Sequence, residues 1–325
     1  MLPAGGTEVI VCRNVTDVDG VLLAAANRDG SPYSRFAVIQ QFYFDQDMAA
    51  LGVRPPSLQP RAHAYIGQVI ALAAGLLARE AAYQRDGQVY FRGAGAARQA
   101  GLDRQVALRL AAEYGDHPDD ARKDDPFDVA VWQASDGDQP AWESPRGPGP
   151  PGWHAECAAM ALHTFGPAVD VHAGAATCAS PHHACQAALA EAFTGVTAFA
   201  RARLNVGVVR VAAAKMAKSA GNLVLVSDLL GDYRAAAVRL LVLDRRWDED
   251  RDYGRAGLDD AAPRLDRLQA AAGRPDRGTP GPGGGAVTAV RAALASDLDV
   301  PAALRIAEDE GGAAARVLGS LPGSW

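Results

Sequence analysis

Short apolar, β-branched segments alternate with Ala- and Leu-rich helical segments along the first 230 residues. The strand candidates are 7–16, 88–91, 169–172 and 204–211, and the main helix candidates are 34–50, 61–85 and 103–114. Strands separated by helices favour a parallel sheet with helices packed against it. The pattern predicts a parallel α/β domain over 1–230, a helical region over 231–271, a Gly/Pro-rich linker over 272–285 and a helical segment over 286–325.

Composition narrows the class of protein. The chain has 325 residues and a net charge of −6, which argues against a broad nucleic-acid-binding surface but leaves room for a local one. No run of about 18 apolar residues indicates a membrane span, and the N-terminus does not resemble a secretory signal. Four cysteines are too few for a disulfide scaffold. We therefore expect a cytoplasmic protein whose thiols have catalytic or metal-binding roles.

Lysine is rare in this chain, and its placement is informative. Only three of the 32 basic residues are lysine, namely Lys123, Lys215 and Lys218. An ammonium group is a compact charge on a flexible stem, and two of them in one loop can stabilise the charge on a transferring phosphate. The alternative is a pair of solvated surface lysines. The pair predicts a phosphate-binding segment.

A second group of candidates follows the Pro/Gly-rich segment 144–152, whose stiffness suits the positioning of its neighbours. It leads into Trp153 and Cys157, and His182 lies further along the chain. Taken singly, the same residues are an ordinary buried cysteine and a histidine at the start of a helix.

Four motifs, in order, carry a family resemblance. Residues 215–222 resemble the KMSKS signature and its trailing Gly-Asn, with Ala217 replacing the first serine. Residues 14–19 are similar to an NVTDVD segment, and 142–157 resemble WxSPxGxGxPGWHxEC. The fourth motif is Pro-His-His at 181–183. From about residue 8 onward the chain resembles the cysteine-activating class I aminoacyl-tRNA synthetase family, which includes cysteinyl-tRNA synthetases and mycothiol ligases.

The resemblance implies a Rossmann-like catalytic domain that joins cysteine and ATP into cysteinyl-adenylate and then transfers the cysteinyl group. It implies the following roles: Lys215 and Lys218 as catalytic residues; Lys218, His172, Gly174 and Val209 at the nucleotide; Trp153, Asn14, Val15 and Thr16 at the cysteine; Cys157 and His182 at zinc, with Cys185 as a further ligand. The expected partners are cysteine, ATP and an acceptor, for a monomer that does not bind membranes.

The chain also departs from the family pattern. In the family, a zinc-binding cysteine and the HIGH motif precede the NVTDVD segment, whereas only 13 residues precede Asn14 here. We therefore expect the first strand and the HIGH motif to be missing, through either a misplaced start or decay of a paralogue. Thr177 stands where the family has an adenylate-contacting Asp, and Gln186 stands where the synthetases have a Glu ligand.

The acceptor is the least determined point. Residues 113–118 resemble the mycothiol-ligase ERGGDP segment, residues 221–227 resemble its GNLVLVS, and little chain follows 297–301 to form an anticodon-binding domain. Residues 142–145 and 171–172 look more like the synthetases. These features favour an amino-sugar inositol acceptor over tRNA. A third alternative is a catalytically impaired paralogue that binds a nucleotide or a partner.

Overall fold

The computed structural model describes residues 7–99, 102–135, 137, 140–217, 221–276 and 285–319. Its helices are α1 (Gly20–Asp29), α2 (Tyr33–Ala50), α3 (Ile66–Ala78), α4 (Ala94–Gln99), α5 (Arg104–Glu113), α6 (Trp153–Phe165), α7 (Ala184–Thr194), α8 (Val226–Asp232), α9 (Ala235–Leu243), α10 (Arg255–Ala272), α11 (Gly285–Ala295), α12 (Val300–Glu310) and α13 (Gly312–Gly319). Its strands are β1 (Ala82–Arg85), β2 (Gln88–Phe91), β3 (Val129–Trp132), β4 (Val169–Ala175), β5 (Ala200–Val206), β6 (Val209–Val211), β7 (Ala214–Lys215) and β8 (Arg251–Tyr253).

Two compact units make up the fold. The first unit consists of residues 11–37 and 57–205, and the second consists of residues 7–10, 38–56 and the described residues from 206 onward. The α/β class is confirmed. The domain boundaries expected from the sequence remain predictions.

The first unit is built around helices α3, α6 and α7. Ile66, Val69, Leu72 and Leu76 recur on one face of α3 at helical spacing and are buried. They pack with β3 and with Leu189 of α7 in one core cluster. Each such fully buried side chain contributes roughly 1.5–3 kcal/mol of transfer free energy. Strands β1, β2 and β3 form an antiparallel sheet in that order, and β4 pairs with β5.

The second unit is mainly helical. Helices α9, α10, α12 and α13 bury a continuous apolar cluster that includes Leu240, Leu258, Leu265 and Leu304. Its sheet has the order β7-β6-β8, in which β6 is antiparallel to β7 and parallel to β8. Among the described helices, none combines the length and the apolar character that crossing a membrane requires.

Three predicted segments differ from the structure. Residues 7–16 make only isolated parallel bridges at Cys12 and Val15 instead of a continuous strand. The helix predicted over 61–85 ends at Ala78 because the chain turns through a positive φ at Glu80 and enters β1. The strand predicted over 204–211 is divided at Gly207, where a Cβ would lie 1.9 Å from the Glu249 carbonyl oxygen. Parallel pairing is thus limited to part of the structure, and β1–β3 are antiparallel.

Candidate active site

The Pro/Gly-rich segment 144–152 runs alongside β3 and the residues after it. Gln133 N donates to Pro150 O at 2.9 Å, Ser135 N to Pro148 O at 3.0 Å, and Gly152 N to Val131 O at 2.9 Å. At Gly152 a Cβ would lie 1.8 Å from the Ala130 carbonyl oxygen. This close backbone contact fixes the point at which α6 begins, and therefore the position of Trp153.

Three aromatic rings are stacked at the start of α6. The Trp153 ring lies 3.8 Å from the His182 ring with an interplanar angle of 14°, and 5.9 Å from the Tyr114 ring at 13°. Two residues predicted from the sequence, Trp153 and His182, are therefore in direct contact. Tyr114 was not predicted as a site residue.

Behind this stack lies a chain of polar contacts. Both carboxylate oxygens of Asp116 are 3.0 Å from His154 Nε2, and His154 Nδ1 is 2.7 Å from His182 Nδ1. His154 is only 1% exposed and His182 only 6%. Burial, together with the neighbouring imidazoles, lowers the pKa of His182 to about 2. His182 is therefore neutral at physiological pH.

The contacts are compatible with one tautomer of each ring. A carboxylate only accepts hydrogen bonds, so His154 donates from Nε2 to Asp116. With a single ring proton on His154, its Nδ1 is an acceptor, and His182 then donates to it from its own Nδ1. His182 Nε2 is left with a lone pair. It can accept a hydrogen bond or bind a ligand on the Trp153 side.

Substituting Asp116 with Asn tests this assignment. Removing the charged acceptor is expected to lower the free energy of unfolding by about 1.5–3 kcal/mol and to broaden or shift the imidazole 15N signals of His182, because the tautomer of His154 is no longer fixed. Urea unfolding and long-range 1H–15N spectra measure the two effects. The exposed neighbour Asp119 provides the control, since Asp119→Asn should change neither. Unaltered His182 signals in the Asp116 variant would contradict the assigned relay.

His172 and Gly174 lie on β4 beside a second histidine, His183. The His172 and His183 rings are 4.0 Å apart, and a Cβ on Gly174 would lie 2.3 Å from His183 Cε1. Burial lowers the pKa of His183 to about 4 and also lowers that of His172. Gly174 is therefore required by the packing of His183, which is a local reason for glycine that does not depend on a nucleotide.

The polar groups of segment 14–19 have hydrogen-bond partners in neighbouring segments. Val15 N donates to Pro60 O at 2.9 Å, and Asp19 caps α1 by accepting from Val21 N and Leu22 N at 2.6 and 3.0 Å. His63 contacts Asp17 through Nδ1 at 2.5 Å. Both carboxylates therefore have structural partners. The predicted roles of Asn14, Val15 and Thr16 at cysteine remain predictions.

Two of the predicted zinc ligands, Cys157 and Cys185, are buried thiols among apolar side chains. Cys157 is 4% exposed, packs with Val18 and Met160, and has its pKa raised to about 12 by burial. Cys185 is buried in the apolar core of the first unit, and burial raises its pKa as well. His182 belongs instead to the Asp116–His154 relay. Within the described ranges, no three His, Cys, Asp or Glu side chains are placed to hold one metal ion. The arrangement does not fit the zinc site implied by the resemblance.

Glu156 is another residue that the sequence did not single out. It is 1% exposed, and its Oε2 has no hydrogen-bond partner among the described residues. Burial, with Asp19 and Asp17 adding to the effect, raises its pKa well above the usual range. The next residue, Cys157, interacts with the Asn14 side chain and packs with Val18. The start of α6 is therefore in contact with the 14–19 segment.

The lysine segment lies in the second unit and continues a hairpin. Strand β6 pairs with β7, with Arg210 opposite Lys215, and Met216 N donates to Val209 O at 3.0 Å. Asn222 closes the segment from the other side, since its Oδ1 accepts from Ala217 N at 2.9 Å and its Nδ2 donates to Lys215 O at 3.1 Å. Lys218 lies outside the described residues.

The turn of this hairpin consists of Ala212 and Ala213, whose φ angles are 51° and 63°. Two left-handed residues form the turn type that favours Asn-Gly, and a left-handed conformation costs a non-glycine residue roughly 1–2 kcal/mol. Ala213→Gly is therefore expected to raise the free energy of unfolding by about 0.5–1 kcal/mol. Ala214→Gly, one residue later in β7, should lower it. Urea titration of both variants measures the difference, and a destabilised Ala213→Gly protein would contradict the expectation.

The sequence matches one protein family and several relatives that share one name. The family described as tRNA synthetases class I (C) catalytic domain matches residues 1–263. A Mycolicibacterium vanbaalenii protein named L-cysteine:1D-myo-inositol 2-amino-2-deoxy-alpha-D-glucopyranoside ligase is 41% identical over 310 residues, covering 92% of this chain and 71% of the relative. A Frankia casuarinae protein of the same name is 38% identical over 329 residues, covering 100% and 70%.

Among solved structures, Mycobacterium tuberculosis methionyl-tRNA synthetase bound by methionyl-adenylate superposes with a TM-score of 0.65. The superposition covers 94% of this chain and 76% of that chain, at 15% sequence identity. At this identity the likeness concerns the fold, which is that of a class I synthetase.

Proposed function

We propose that this chain, which belongs to the class I (C) tRNA synthetase catalytic-domain family, is an ATP-dependent ligase that activates L-cysteine and transfers it to an amino-sugar inositol. Sequence relatives of that name match more than nine-tenths of the chain at about 40% identity. The geometric observation that carries the proposal is the Asn222 amide, which bridges both ends of segment 215–217.

The bridge supports a phosphate-binding role for the lysine segment. Asn222 uses both its donor and its acceptor on backbone groups of Lys215 and Ala217. The backbone that carries the Lys215 ammonium group is therefore shaped before ATP binds. In the proposed reaction, Lys215 and Lys218 stabilise the charge on the phosphates as the cysteine carboxylate attacks the α-phosphorus and pyrophosphate leaves. A preorganised charge of this kind does not have to be reoriented during the reaction.

The aromatic stack supports a role in holding the cysteine. Trp153 offers an apolar face, and the neutral His182 beside it keeps a lone pair on Nε2 that can accept a hydrogen bond from the substrate thiol. His154 and Asp116 act as positioning residues, since they hold that tautomer. Cys157, already buried beside Asn14, has no assigned role in this step.

Cysteine-dependent exchange of pyrophosphate into ATP tests the activation step. We expect exchange with cysteine, far less with serine, and a loss of about 10²–10³-fold in Lys215→Ala, the magnitude typical of a lost transition-state donor. Lys215→Arg keeps the charge and should retain more activity. Absence of cysteine-dependent exchange in folded protein would refute activation.

Transfer assays then decide the acceptor. Cysteinyl-adenylate formed on the protein is offered glucosaminyl-inositol or tRNA, and cysteine is expected to appear on the amino-sugar inositol. Transfer to tRNA would support the synthetase alternative. Exchange without transfer to either acceptor would contradict the ligase assignment.

A further inference from the structure

The third lysine of the chain, Lys123, lies in the loop that follows α5 and takes no part in the proposed phosphate binding. It is partly buried, and its Nζ donates to the Asp116 carbonyl oxygen. Its backbone N–H donates to Asp120 O at 3.0 Å, within the same loop. A partly buried ammonium group is therefore bound to the backbone of the residue whose carboxylate contacts His154.

The loop turns sharply after α5 at Gly115. The φ of this residue is 82°, a left-handed conformation that glycine adopts without steric cost. The residues on either side of it both reach the start of α6. Tyr114 stacks on Trp153 with the rings 5.9 Å apart, and the Asp116 carboxylate lies 3.0 Å from His154 Nε2. The position of this one turn therefore determines two contacts of the candidate active site.

The far end of the loop is anchored on the β1–β2 hairpin. The Tyr90 hydroxyl donates to Asp120 Oδ2 at 2.7 Å, and Arg85 Nη1 donates to Arg122 O at 2.8 Å. Arg122 also donates to Asp120 from Nε and Nη2, both at 2.9 Å. The lysine is the next residue after Arg122. Its ammonium group therefore connects the anchored end of the loop with the turn after α5.

Carboxylates lie around this ammonium group. Burial lowers the pKa of Lys123. Four aspartates act in the opposite direction, namely Asp116, Asp120, Asp128 and Asp119. Without the ammonium group, the Asp116 carbonyl would lose a charged donor, and the four negative charges would lose a cation beside them. The turn after α5 would then no longer be held in one place.

The size of the cation matters at this position. Only three of the 32 basic residues are lysine, so the usual cation of this chain is arginine. An ammonium group is compact, whereas a guanidinium is a planar fork that carries five donors. In a partly buried loop the larger group would displace its surroundings. Arginine should therefore replace Lys123 only in part.

We propose that Lys123 is a positioning residue for the cysteine-binding group: its ammonium group holds the turn after α5 where the contacts of Tyr114 and Asp116 with α6 require it. This inference rests on the proposed function, because it takes Trp153 and His182 to hold the cysteine. Lys123 itself does not touch the substrate. Its effect is on the binding of cysteine, and not on the binding of ATP.

Pyrophosphate exchange at varied concentrations of cysteine and ATP tests the proposal on the full chain. Lys123→Met is expected to raise the KM for cysteine about tenfold, the effect of one lost charged hydrogen bond, while kcat and the KM for ATP change less than about twofold. Lys123→Arg keeps the charge and should raise the KM for cysteine about threefold. Arg109→Met is the matched control, because it removes an exposed cation of α5 and should change neither KM.

Histidine spectra make the test independent of turnover. The imidazole 15N signals of His154 and His182 are expected to shift in Lys123→Met and to stay in place in Arg109→Met. Thermal unfolding establishes that each variant is folded. If Lys123→Met does not fold, Lys123→Arg is used for the same two measurements.

Two results would overturn the proposal. The first is a folded Lys123 variant with an unchanged KM for cysteine and unchanged histidine signals. The second is an equal rise in the KM for cysteine and the KM for ATP, since a general disturbance of the fold would act on both substrates.

The two measurements also separate this proposal from the proposed function. A wild-type protein without cysteine-dependent exchange would refute the proposed function, while shifted histidine signals in Lys123→Met would still show that the lysine positions the turn. Exchange in wild type, with Lys123→Met unaffected in both measurements, would refute the positioning role alone.

Discussion

Gly152→Ala is expected to remove most of the stability of the first unit. The added Cβ would lie 1.8 Å from the Ala130 carbonyl oxygen and 2.6 Å from its carbon, so backbone has to move. No side-chain rotation relieves such an overlap, and the Gly152 N to Val131 O hydrogen bond would be lost with it. We expect a loss of at least about 3 kcal/mol, beyond the usual cost of overpacking, measured by urea unfolding or by the yield of folded protein.

Gly67→Ala is the matched control. Gly67 lies in the first turns of α3, and a Cβ there meets no atom within 4 Å. Alanine is the better helix former, so this variant should be as stable as wild type or more stable by up to about 1 kcal/mol. A Gly152→Ala protein as stable as Gly67→Ala would show that the segment before α6 does not run against β3 as described.

Acidification below pH 6.5 is expected to destabilise the protein through its buried histidines. His182 and His183 have folded pKa values of about 2 and about 4, against an ordinary value of 6.5. Well above pH 6.5 both states bind no proton at these rings, and the contribution is zero. Below pH 6.5 the two imidazoles are protonated in the unfolded chain but stay neutral in the folded chain. The free energy of unfolding therefore falls as the pH falls. Between pH 7 and 4.5 the two rings together account for about 5 kcal/mol.

Urea unfolding across this pH range measures the slope. His183→Gln removes one of the two rings and should halve the loss of unfolding free energy between pH 7 and 4.5. The difference from wild type gives the contribution of His183. Glu156 works in the opposite direction, because its raised pKa means that folding favours its protonated form. A slope that is the same in wild type and His183→Gln would contradict neutral burial of His183.

At the start of α6, the sequence predicted some of the residues in contact and missed others. The end of the Pro/Gly segment and the motif over 142–157 located Trp153, and the structure brings it to His182. Asp116 and His154 were missed, although they complete the relay. They are 38 residues apart in sequence, and neither lies in a pattern with a periodicity. The resemblance of 113–118 to a family segment was the one signal that could have drawn attention to Asp116.

Other differences have local causes. A strand pattern such as 204–211 does not reveal that another backbone passes close to Gly207 and divides it. Helical composition continued past Ala78, but a positive φ at Glu80 cannot be read from composition. The pairing of Cys157 with His182 was inferred from motifs alone. The distance between these two side chains depends on how α6 packs against the residues before α7. A sequence motif does not contain that information.

The two-residue turn at Ala212 and Ala213 fixes the register between β6 and β7, and therefore the face of β7 on which Lys215 lies. Side chains alternate between the faces of a strand, so a change of one residue in the turn would shift the register and reverse the face on which each one lies. Lys215 sits at the second position after that turn, opposite Arg210. Inserting one alanine there would therefore redirect the Lys215 ammonium while leaving every residue of its motif in place.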